Sequence, residues 1–227
     1  MRVAVLATGG KDSTLALYRA MEGGHKVEAL ACMIPMRDDS YMFHYPSINL
    51  IDLFAEAVNI PLVKGETVGE KERELEDLKR LLASLNVEGI VLGAVASTYQ
   101  KSRVENICSQ LGLKCLTPLW GEDPYKILRE MLELGFEAII TGVYAYGLDA
   151  RWLGRRIDEG AVVELMELNR RYGISPIGEG GEYETLVVNA KFFKRRIKIL
   201  EAEKHWDGQR GYLMIKKAVL EDKQWKP

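Results

Sequence analysis

Residues 7–13 read Ala-Thr-Gly-Gly-Lys-Asp-Ser, and this segment combines the groups that a phosphate-binding loop needs. It follows an apolar run at residues 3–6 that predicts a strand, and a helix is expected to begin near Asp12. Gly9 and Gly10 let backbone N–H groups converge on an anion, and the N-terminus of a helix adds partial positive charge. The segment therefore predicts a nucleotide ligand.

The amino-acid sequence of this loop excludes two other nucleotide-binding motifs. The kinase and GTPase loop, Gly-x-x-x-x-Gly-Lys-Ser/Thr, needs a glycine where this chain has Val5. The dinucleotide fingerprint Gly-x-Gly-x-x-Gly is not present either. A chance diglycine turn before a helix is the alternative to a nucleotide site.

A second segment of this kind lies at residues 93–103, directly after another apolar run. Its small residues let a ligand approach the backbone, and Ser97 or Thr98 can cap the helix that follows. Lys101 and Arg103 fall in the first turns of that helix, where the helix dipole disfavours cations by up to about 1 kcal/mol. An anionic ligand would compensate this cost, and ordinary solvated basic residues are the alternative.

Residues 178–185, Gly-Glu-Gly-Gly-Glu-Tyr-Glu-Thr, place three carboxylates among three glycines. Glycines at this density weaken both helix and strand, so a loop with a chemical role is expected. Glu179, Glu182 and Glu184 could hold Mg²⁺ beside phosphates, accept hydrogen bonds from ammonia or an amine, or neutralise a cationic substrate. A plain acidic turn is the alternative.

Aromatic residues cluster after the runs that predict the last strands of the sheet. Trp120, Tyr144 and Trp152 could form a cage for a quaternary ammonium group, at about 0.5–2 kcal/mol per contact, or could pack between subdomains. His44 lies in a long aromatic loop after the second predicted strand, and such loops often shape pockets. His44 is a candidate base or hydrogen-bond partner for a substrate, and a structural role is the alternative.

The elements that must position these residues alternate along the first part of the chain. Strands are predicted at residues 3–7, 27–34, 61–64, 89–93, 113–116 and 137–141, with helices at 13–23, 48–58, 70–85, 99–111 and 124–134. This alternation predicts an α/β fold with a doubly wound, mostly parallel sheet.

The pattern changes after about residue 143. Turns and aromatic residues come first, and short strands are then predicted at residues 185–189, 196–201 and 212–219. They indicate a smaller C-terminal α+β subdomain. We therefore expect a nucleotide-binding domain at residues 1–143 and a substrate-binding subdomain at residues 144–227.

Composition narrows the class of protein. A net charge of −2 without a basic stripe argues against direct nucleic-acid binding. No apolar segment approaches the roughly 18 residues that a membrane span needs, so no membrane association and a cytoplasmic location are expected. The three cysteines form no Cys-x-x-Cys pair, which argues against a disulfide framework or a zinc site.

The loop at residues 8–13 resembles the Ser-Gly-Gly-x-Asp-Ser signature of the N-type ATP pyrophosphatases, the PP-loop enzymes, which cleave ATP between its α and β phosphates. Thr8 replaces the serine and keeps its hydroxyl. With the loop around His44, residues 93–103, residues 142–156 and above all residues 179–184, most of residues 1–190 resembles the diphthine–ammonia ligase family of stand-alone PP-loop proteins. The resemblance implies a fold of the adenine nucleotide α-hydrolase type.

By that resemblance, the chain would use ATP, Mg²⁺ and free ammonium to amidate diphthine on elongation factor two. The diphthine carboxylate would form an acyl-adenylate and expel pyrophosphate, and ammonia would then displace AMP. The trimethylammonium group of the substrate would give the aromatic and acidic residues a partner.

The resemblance also implies roles for individual residues. ATP would be held by Thr8, Gly9, Gly10, Ser13, Met33, Gly93, Lys101 and Arg103. Asp12 would bind the magnesium ion, and Lys11 would offset charge on the phosphates. Glu182 or Glu184 would orient or deprotonate ammonium. The acceptor would contact His44, Tyr99, Trp120, Tyr144, Asp149, Glu179 and Tyr183.

Two other functions fit the same residues. A PP-loop ligase could activate another acceptor, such as transfer RNA, although thiolating members usually carry paired cysteines. An ATP-binding sensor would bind the nucleotide and leave it intact. The sequence leaves the oligomeric state open.

Overall fold

The computed structural model describes residues 1–35, 50–68 and 71–223, and these contain nine strands and six helices. The strands are β1 (Arg2–Leu6), β2 (Lys26–Pro35), β3 (Leu62–Thr67), β4 (Gly89–Val91), β5 (Lys114–Leu116), β6 (Glu137–Val143), β7 (Tyr183–Asn189), β8 (Arg195–Trp206) and β9 (Gly211–Asp222). The helices are α1 (Lys11–Glu22), α2 (Ile51–Val58), α3 (Lys71–Ala83), α4 (Thr98–Leu111), α5 (Pro124–Glu133) and α6 (Glu159–Tyr172).

The first sheet has five strands in the order β3-β2-β1-β4-β5, and every pairing in it is parallel. The strand order reverses between β1 and β4, which pair directly, for example Val5 with Val91. The loops that leave the carboxyl ends of these two strands therefore emerge side by side. Open parallel sheets bind ligands at such a switch point.

Helices α3 and α4 pack on this sheet through a shared apolar cluster. Leu78 and Leu82 of α3 and Val104 and Ile107 of α4 are buried against residues of the sheet such as Ile90. The leucines of α3 recur at intervals of three and four residues, which places them on one face of the helix. The prediction of an α/β fold with a parallel sheet is confirmed.

The second sheet has four strands in the order β7-β6-β9-β8, and its pairings are antiparallel. The prediction that residues 137–141 extend the parallel sheet is wrong, because β6 pairs with β7 and β9 in this second sheet. An apolar strand of this length has the same pattern in either sheet, so the sequence pattern does not determine its partners. The smaller antiparallel part that the C-terminal strands predicted is present.

Helix α6 was not predicted from the sequence, although its ends carry clear signals. The Asp158 side chain accepts a hydrogen bond from the Ala161 N–H at 2.8 Å, which caps the first turn. Gly173 ends the helix in the left-handed region, at φ 71°. The turn and aromatic residues that precede this helix did not indicate that a regular helix would follow.

The contacts divide the chain into two units. The first comprises residues 1–8, 12–48 and 60–120, and the second comprises residues 9–11, 49–59 and 121–227. The second unit thus begins earlier than the boundary at residue 143 that the sequence suggested, and the loop at residues 7–13 contributes to both units. No helix in the described part of the chain is long and apolar enough to cross a membrane.

Two adjacent valines of α6 test the packing of this helix. Val162 is 2% exposed and Val163 is 64% exposed. Val162→Ala is expected to lower the free energy of unfolding by about 2 kcal/mol, because it removes two buried methyl groups and leaves a cavity. Val163→Ala should change it by less than about 0.5 kcal/mol. Urea unfolding of both variants measures the difference, and equal losses would contradict the burial of α6.

Candidate functional site

The turn between β1 and α1 is held by two hydroxyl groups. The backbone N–H of Thr8 donates to Oγ of buried Ser13 at 3.3 Å, and Oγ1 of Thr8 lies 3.2 Å from the same oxygen. The loop therefore uses the side-chain hydroxyl of Thr8, a group that a serine at this position would also provide. This contact shows why Thr8 can stand where the PP-loop signature has serine.

The loop after β4 packs directly on the start of α1. A Cβ atom at Gly93 would lie 2.8 Å from the backbone nitrogen of Ser13 and 2.8 Å from the carbonyl carbon of Asp12. Such distances exclude any side chain at position 93 unless the backbone moves. The two predicted nucleotide loops are thus in contact within the first unit, at the switch point of the parallel sheet.

The two cations at the beginning of α4 lie against aromatic rings. Nζ of Lys101 is 4.6 Å from the ring centroid of Trp120, and it also pairs with Glu105 at 3.1 Å. The Arg103 guanidinium carbon is 3.3 Å from the ring centroid of Tyr99. These contacts fix both cations near the N-terminus of α4, where the helix dipole favours an anion beside them.

The arginine has an unused donor. Nε of Arg103 is inaccessible to solvent and finds no hydrogen-bond partner among the described residues. One of its terminal nitrogens donates to the carbonyl oxygen of Tyr99 at 3.4 Å. The predicted residues Tyr99, Lys101, Arg103 and Trp120 thus form one group in the first unit.

Lys11 belongs to the second unit and is buried there, with 3% of its surface exposed. Its Nζ donates to the carbonyl oxygen of Ile177 at 2.5 Å and lies 5.1 Å from the ring centroid of Tyr183. Its backbone N–H donates to Oγ1 of Thr185 at 3.1 Å. The lysine of the first loop is therefore bonded to the acidic segment more than 160 residues further along the chain.

A second backbone contact joins the same segments. The N–H of Val187 on β7 donates to the carbonyl oxygen of Gly9 at 2.8 Å. The hydroxyl of Tyr183, whose ring lies near Lys11, donates to the carbonyl oxygen of Pro176 at 2.7 Å. Sequence reasoning missed the roles of Ile177, Thr185 and Val187, since a backbone carbonyl or a lone threonine gives no motif.

The acidic loop is closed by one of its own carboxylates. Oε1 of Glu182 accepts from the N–H of Ser175, and Oε2 accepts from the N–H of Gly180, both at 2.8 Å. Both oxygens of Glu182 therefore hold backbone donors of the loop. Ser175 Oγ additionally accepts from the N–H of Glu179 at 3.3 Å.

Glu184 differs from Glu182 in its surroundings. Its Oε2 is inaccessible to solvent and has no hydrogen-bond partner in the described part of the chain. Burial disfavours the charged form and raises the pKa of Glu184 to about 8. A carboxyl group with a pKa near neutrality can exchange a proton with a reactant under physiological conditions.

Tyr144 lies beside Glu184. Burial, followed by the charge of Glu184, raises the pKa of the Tyr144 hydroxyl. The Tyr144 N–H donates to the carbonyl oxygen of Glu182 at 2.9 Å, so the acidic loop and the end of β6 are joined. The predicted residues Lys11, Tyr144, Glu179, Glu182, Tyr183 and Glu184 thus form a second group, within the second unit.

Three other predicted residues stand apart from these groups. Asp149 pairs with the Arg151 guanidinium at 2.9 Å, and this hydrogen-bonded partner holds the pKa of Asp149 below its usual value. Met33 is 2% exposed in the core of the first sheet, so only its backbone can meet a ligand. His44 lies outside the described residues.

The described residues contain no cluster of three histidine, cysteine or carboxylate side chains that could bind a metal ion by themselves. Mg²⁺ is commonly held by one or two carboxylates, with phosphate oxygens and water completing its shell. Asp12, half-buried at the start of α1, can supply such a carboxylate. The residues present therefore fit an ion that arrives with a nucleotide.

Comparison with known proteins gives consistent matches over the chain. The family model for the diphthamide synthase N-terminal domain matches residues 1–115, and that for the C-terminal domain matches residues 123–220. A Homo sapiens protein named diphthine–ammonia ligase is 38% identical over 226 residues, covering 89% of this chain and 84% of that protein. A Danio rerio protein of the same name is 36% identical and covers 98% of both chains.

The match to a fungal relative is partial. The diphthine–ammonia ligase of Schizosaccharomyces pombe is 37% identical over 249 residues and covers all of this chain. This chain spans only 41% of that relative's length.

A solved structure also matches. It is a predicted tRNA methyltransferase subunit from Methanocaldococcus jannaschii, at 18% identity, with a TM-score of 0.45 over 84% of this chain and 98% of that one.

The raised pKa of Glu184 predicts a pH-dependent stability. The folded state holds a proton on Glu184 up to about pH 8, whereas the unfolded chain releases it near pH 4.5, so stability falls as pH rises between these values. Glu184→Gln, which cannot ionise, should gain stability over the natural protein as pH rises from 5 to 8, by at most about 1.4 kcal/mol per pH unit.

Urea unfolding at pH 5, 6, 7 and 8 measures this difference. Glu164→Gln is the control, because the hydrogen bond from Arg155 holds the pKa of Glu164 below its usual value, and its stability difference should stay constant over this range. A Glu184→Gln difference that does not change with pH would show that Glu184 ionises normally.

Proposed function

Since the chain belongs to the diphthamide synthase family, we propose that it uses ATP to amidate diphthine with ammonia, giving diphthamide, AMP and pyrophosphate. The observation that carries this proposal is the 38% identity to a human diphthine–ammonia ligase over 84% of that protein. The loops that a PP-loop ligase needs are present and joined: Gly93 packs on the backbone of Asp12 and Ser13.

The first step we propose is activation of the acceptor. The diphthine carboxylate attacks the α-phosphorus of ATP, the bond to the bridging oxygen breaks, and pyrophosphate leaves. Backbone N–H groups of Gly9 and Gly10 and the hydroxyls of Thr8 and Ser13 bind the phosphate oxygens. The product is an acyl-adenylate.

Charge on the phosphates is offset by side chains of the same loop. Asp12 would hold Mg²⁺ together with phosphate oxygens, and the ion would neutralise charge on the leaving pyrophosphate. Lys11 is fixed by its contact with Ile177, so its charge has a defined place at the start of α1. Lys101 and Arg103, held on aromatic rings, supply further positive charge for the anionic nucleotide.

Backbone atoms would bind the adenosine part of ATP. We propose that the backbone at Met33 holds adenine, because the side chain of Met33 is buried in the core. We propose that backbone atoms at Gly93, after the end of β4, hold the ribose.

In the second step, ammonium loses a proton to the ionised form of Glu184, whose share grows as pH approaches its pKa of about 8. Ammonia attacks the acyl carbon, AMP leaves, and the proton that the nitrogen still has to lose passes to solvent. Glu184 is assigned to this proton transfer because its Oε2 has no hydrogen-bond partner among the described residues and its pKa is raised to about 8. Both oxygens of Glu182 already accept backbone hydrogen bonds. Glu182 would therefore orient the loop that carries Glu184.

The acceptor is proposed to be elongation factor two carrying diphthine, in the cytoplasm. Tyr144 and Glu179 belong to the same hydrogen-bonded loop region as Glu184 and would contact the acceptor. Tyr183 is 3% exposed, so we propose that it acts on the acceptor site by holding Lys11 and the loop in place. The remaining acceptor contacts implied by the resemblance are His44, Tyr99, Trp120 and Asp149. We propose these four on that resemblance alone.

Turnover of the natural protein tests the reaction. AMP and pyrophosphate are measured with ATP, Mg²⁺ and ammonium, with and without elongation factor two carrying diphthine, while the mass of the factor is followed. We expect AMP formation that requires the factor. Intact ATP under all conditions would indicate a sensor, and AMP without a change in the factor would indicate another acceptor such as transfer RNA.

Glu184→Gln tests the assigned proton acceptor. Loss of a positioned general base is expected to reduce kcat by about 10²- to 10⁴-fold. Glu133→Gln is a suitable control, since Glu133 is an exposed residue of α5 whose pairing with Arg129 spans 4.0 Å, and it should keep full activity. A Glu184→Gln variant as active as this control would remove Glu184 from the mechanism.

A further inference from the structure

Strand register places three titratable side chains on one face of the second sheet. Gly142 of β6 pairs with Glu184 of β7 on one side and with Tyr212 of β9 on the other. Tyr212 in turn pairs with His205 of β8. Directly paired residues of antiparallel strands project to the same face, so Glu184, Tyr212 and His205 share a face.

Tyr144 fills the gap in this row. A Cβ atom at Gly142 would lie 2.5 Å from the hydroxyl oxygen of Tyr144, so the Tyr144 ring covers the position where Gly142 has no side chain. After burial, Glu184 and Tyr212 raise the pKa of the Tyr144 hydroxyl and Arg210 lowers it, so Tyr144 lies near all three groups. The row therefore runs Glu184, Tyr144, Tyr212, His205 across all four strands.

The outer end of the row is a stack of two exposed rings. His205 and Tyr212 have ring centroids 4.8 Å apart and planes inclined by 15°. Tyr212 is 39% exposed, and the His205 side chain is 37% exposed. Burial in a core does not explain this stack, because both rings reach solvent.

The charged groups around the row are paired or neutral near pH 7. Glu203 lies 3.8 Å from Nε2 of His205 and pairs with Lys216, and Arg210 pairs with Asp207. At the opposite end, burial raises the pKa of Glu184 to about 8, so its carboxyl group carries a proton at lower pH. The row therefore offers aromatic rings without an unpaired basic group among these neighbours, and a cation would bind there through the rings.

We propose that Tyr144, Tyr212 and His205 bind the quaternary ammonium group of the acceptor side chain, with the Glu184 carboxyl group at the inner end of this row. The proposal rests on the proposed function, because it names the surface that recognises that acceptor. A quaternary ammonium has no hydrogen to donate, so aromatic faces and nearby negative charge are its natural partners. Tyr212 and His205 extend the acceptor site into the β8–β9 hairpin.

Choline binding to the full chain tests the surface without the reaction. Choline is compared with 3,3-dimethyl-1-butanol, which has the same shape and no charge, by following the His205 ring protons in NMR titrations. We expect the neutral compound to bind at least about fivefold more weakly. Tyr212→Ala should weaken choline binding about 2- to 30-fold, and Tyr212→Phe, which keeps the ring, by less than about twofold.

Tyr125→Ala is the matched control for these titrations. Tyr125 lies at the start of α5 and is 46% exposed, so its loss also removes a solvent-facing ring. Tyr125→Ala should leave choline affinity unchanged. The two variants Tyr125→Ala and Tyr212→Ala should bind 3,3-dimethyl-1-butanol with equal affinity. Choline affinity is also followed by tyrosine fluorescence in every variant, so that His205→Ala, which lacks the imidazole ring, is measured in the same way as the others.

Turnover of the factor carrying diphthine gives a second readout. Tyr212→Ala should raise the KM for the factor about 2- to 30-fold, with kcat and the KM for ammonium within about twofold of the natural protein. Unchanged choline affinity and unchanged factor KM in Tyr212→Ala and His205→Ala would overturn the proposal. Choline binding that depends on Tyr212, in a protein that never modifies the factor, would support this surface and count against the proposed reaction.

Discussion

The contacts of Lys11 and Gly9 with the acidic segment constrain the candidate site more than any other interaction. A buried ammonium group is costly unless polar partners surround it, and Nζ of Lys11 finds the carbonyl oxygen of Ile177 and the face of Tyr183. Backbone hydrogen bonds at Gly9 and Lys11 add two further links to β7. The first nucleotide loop is therefore hydrogen-bonded to β7, the strand that carries Glu184.

The two central glutamates of the acidic segment lie in different environments. Glu182 accepts backbone hydrogen bonds of the loop at both of its carboxylate oxygens. Glu184, two residues further, is buried without such donors among the described residues, and its pKa rises to about 8. One segment therefore holds a carboxylate that shapes the loop and another that can exchange a proton near neutral pH.

Local sequence patterns predicted the structural features that depend on residues close together in the chain. The diglycine loop, the strands of the parallel sheet and the leucine stripe of α3 all follow from short-range spacing, and the structure contains them. The placement of β6 in the second sheet and the bond from Lys11 to Ile177 involve partners far apart in the chain, which no local pattern specifies. The row from Glu184 to His205 needs the strand register and could not be predicted.

Hydrogen exchange at the acidic loop tests most directly whether the contacts of Lys11 hold this loop in place. The N–H groups of Ser175 and Gly180 are bonded to Glu182, and the account predicts that Lys11→Met makes both exchange at least about tenfold faster. Lys191→Met is the control, because Nζ of Lys191 donates to the carbonyl oxygen of Glu133 elsewhere in the second unit. Equal protection of the loop in Lys11→Met and Lys191→Met would contradict the account.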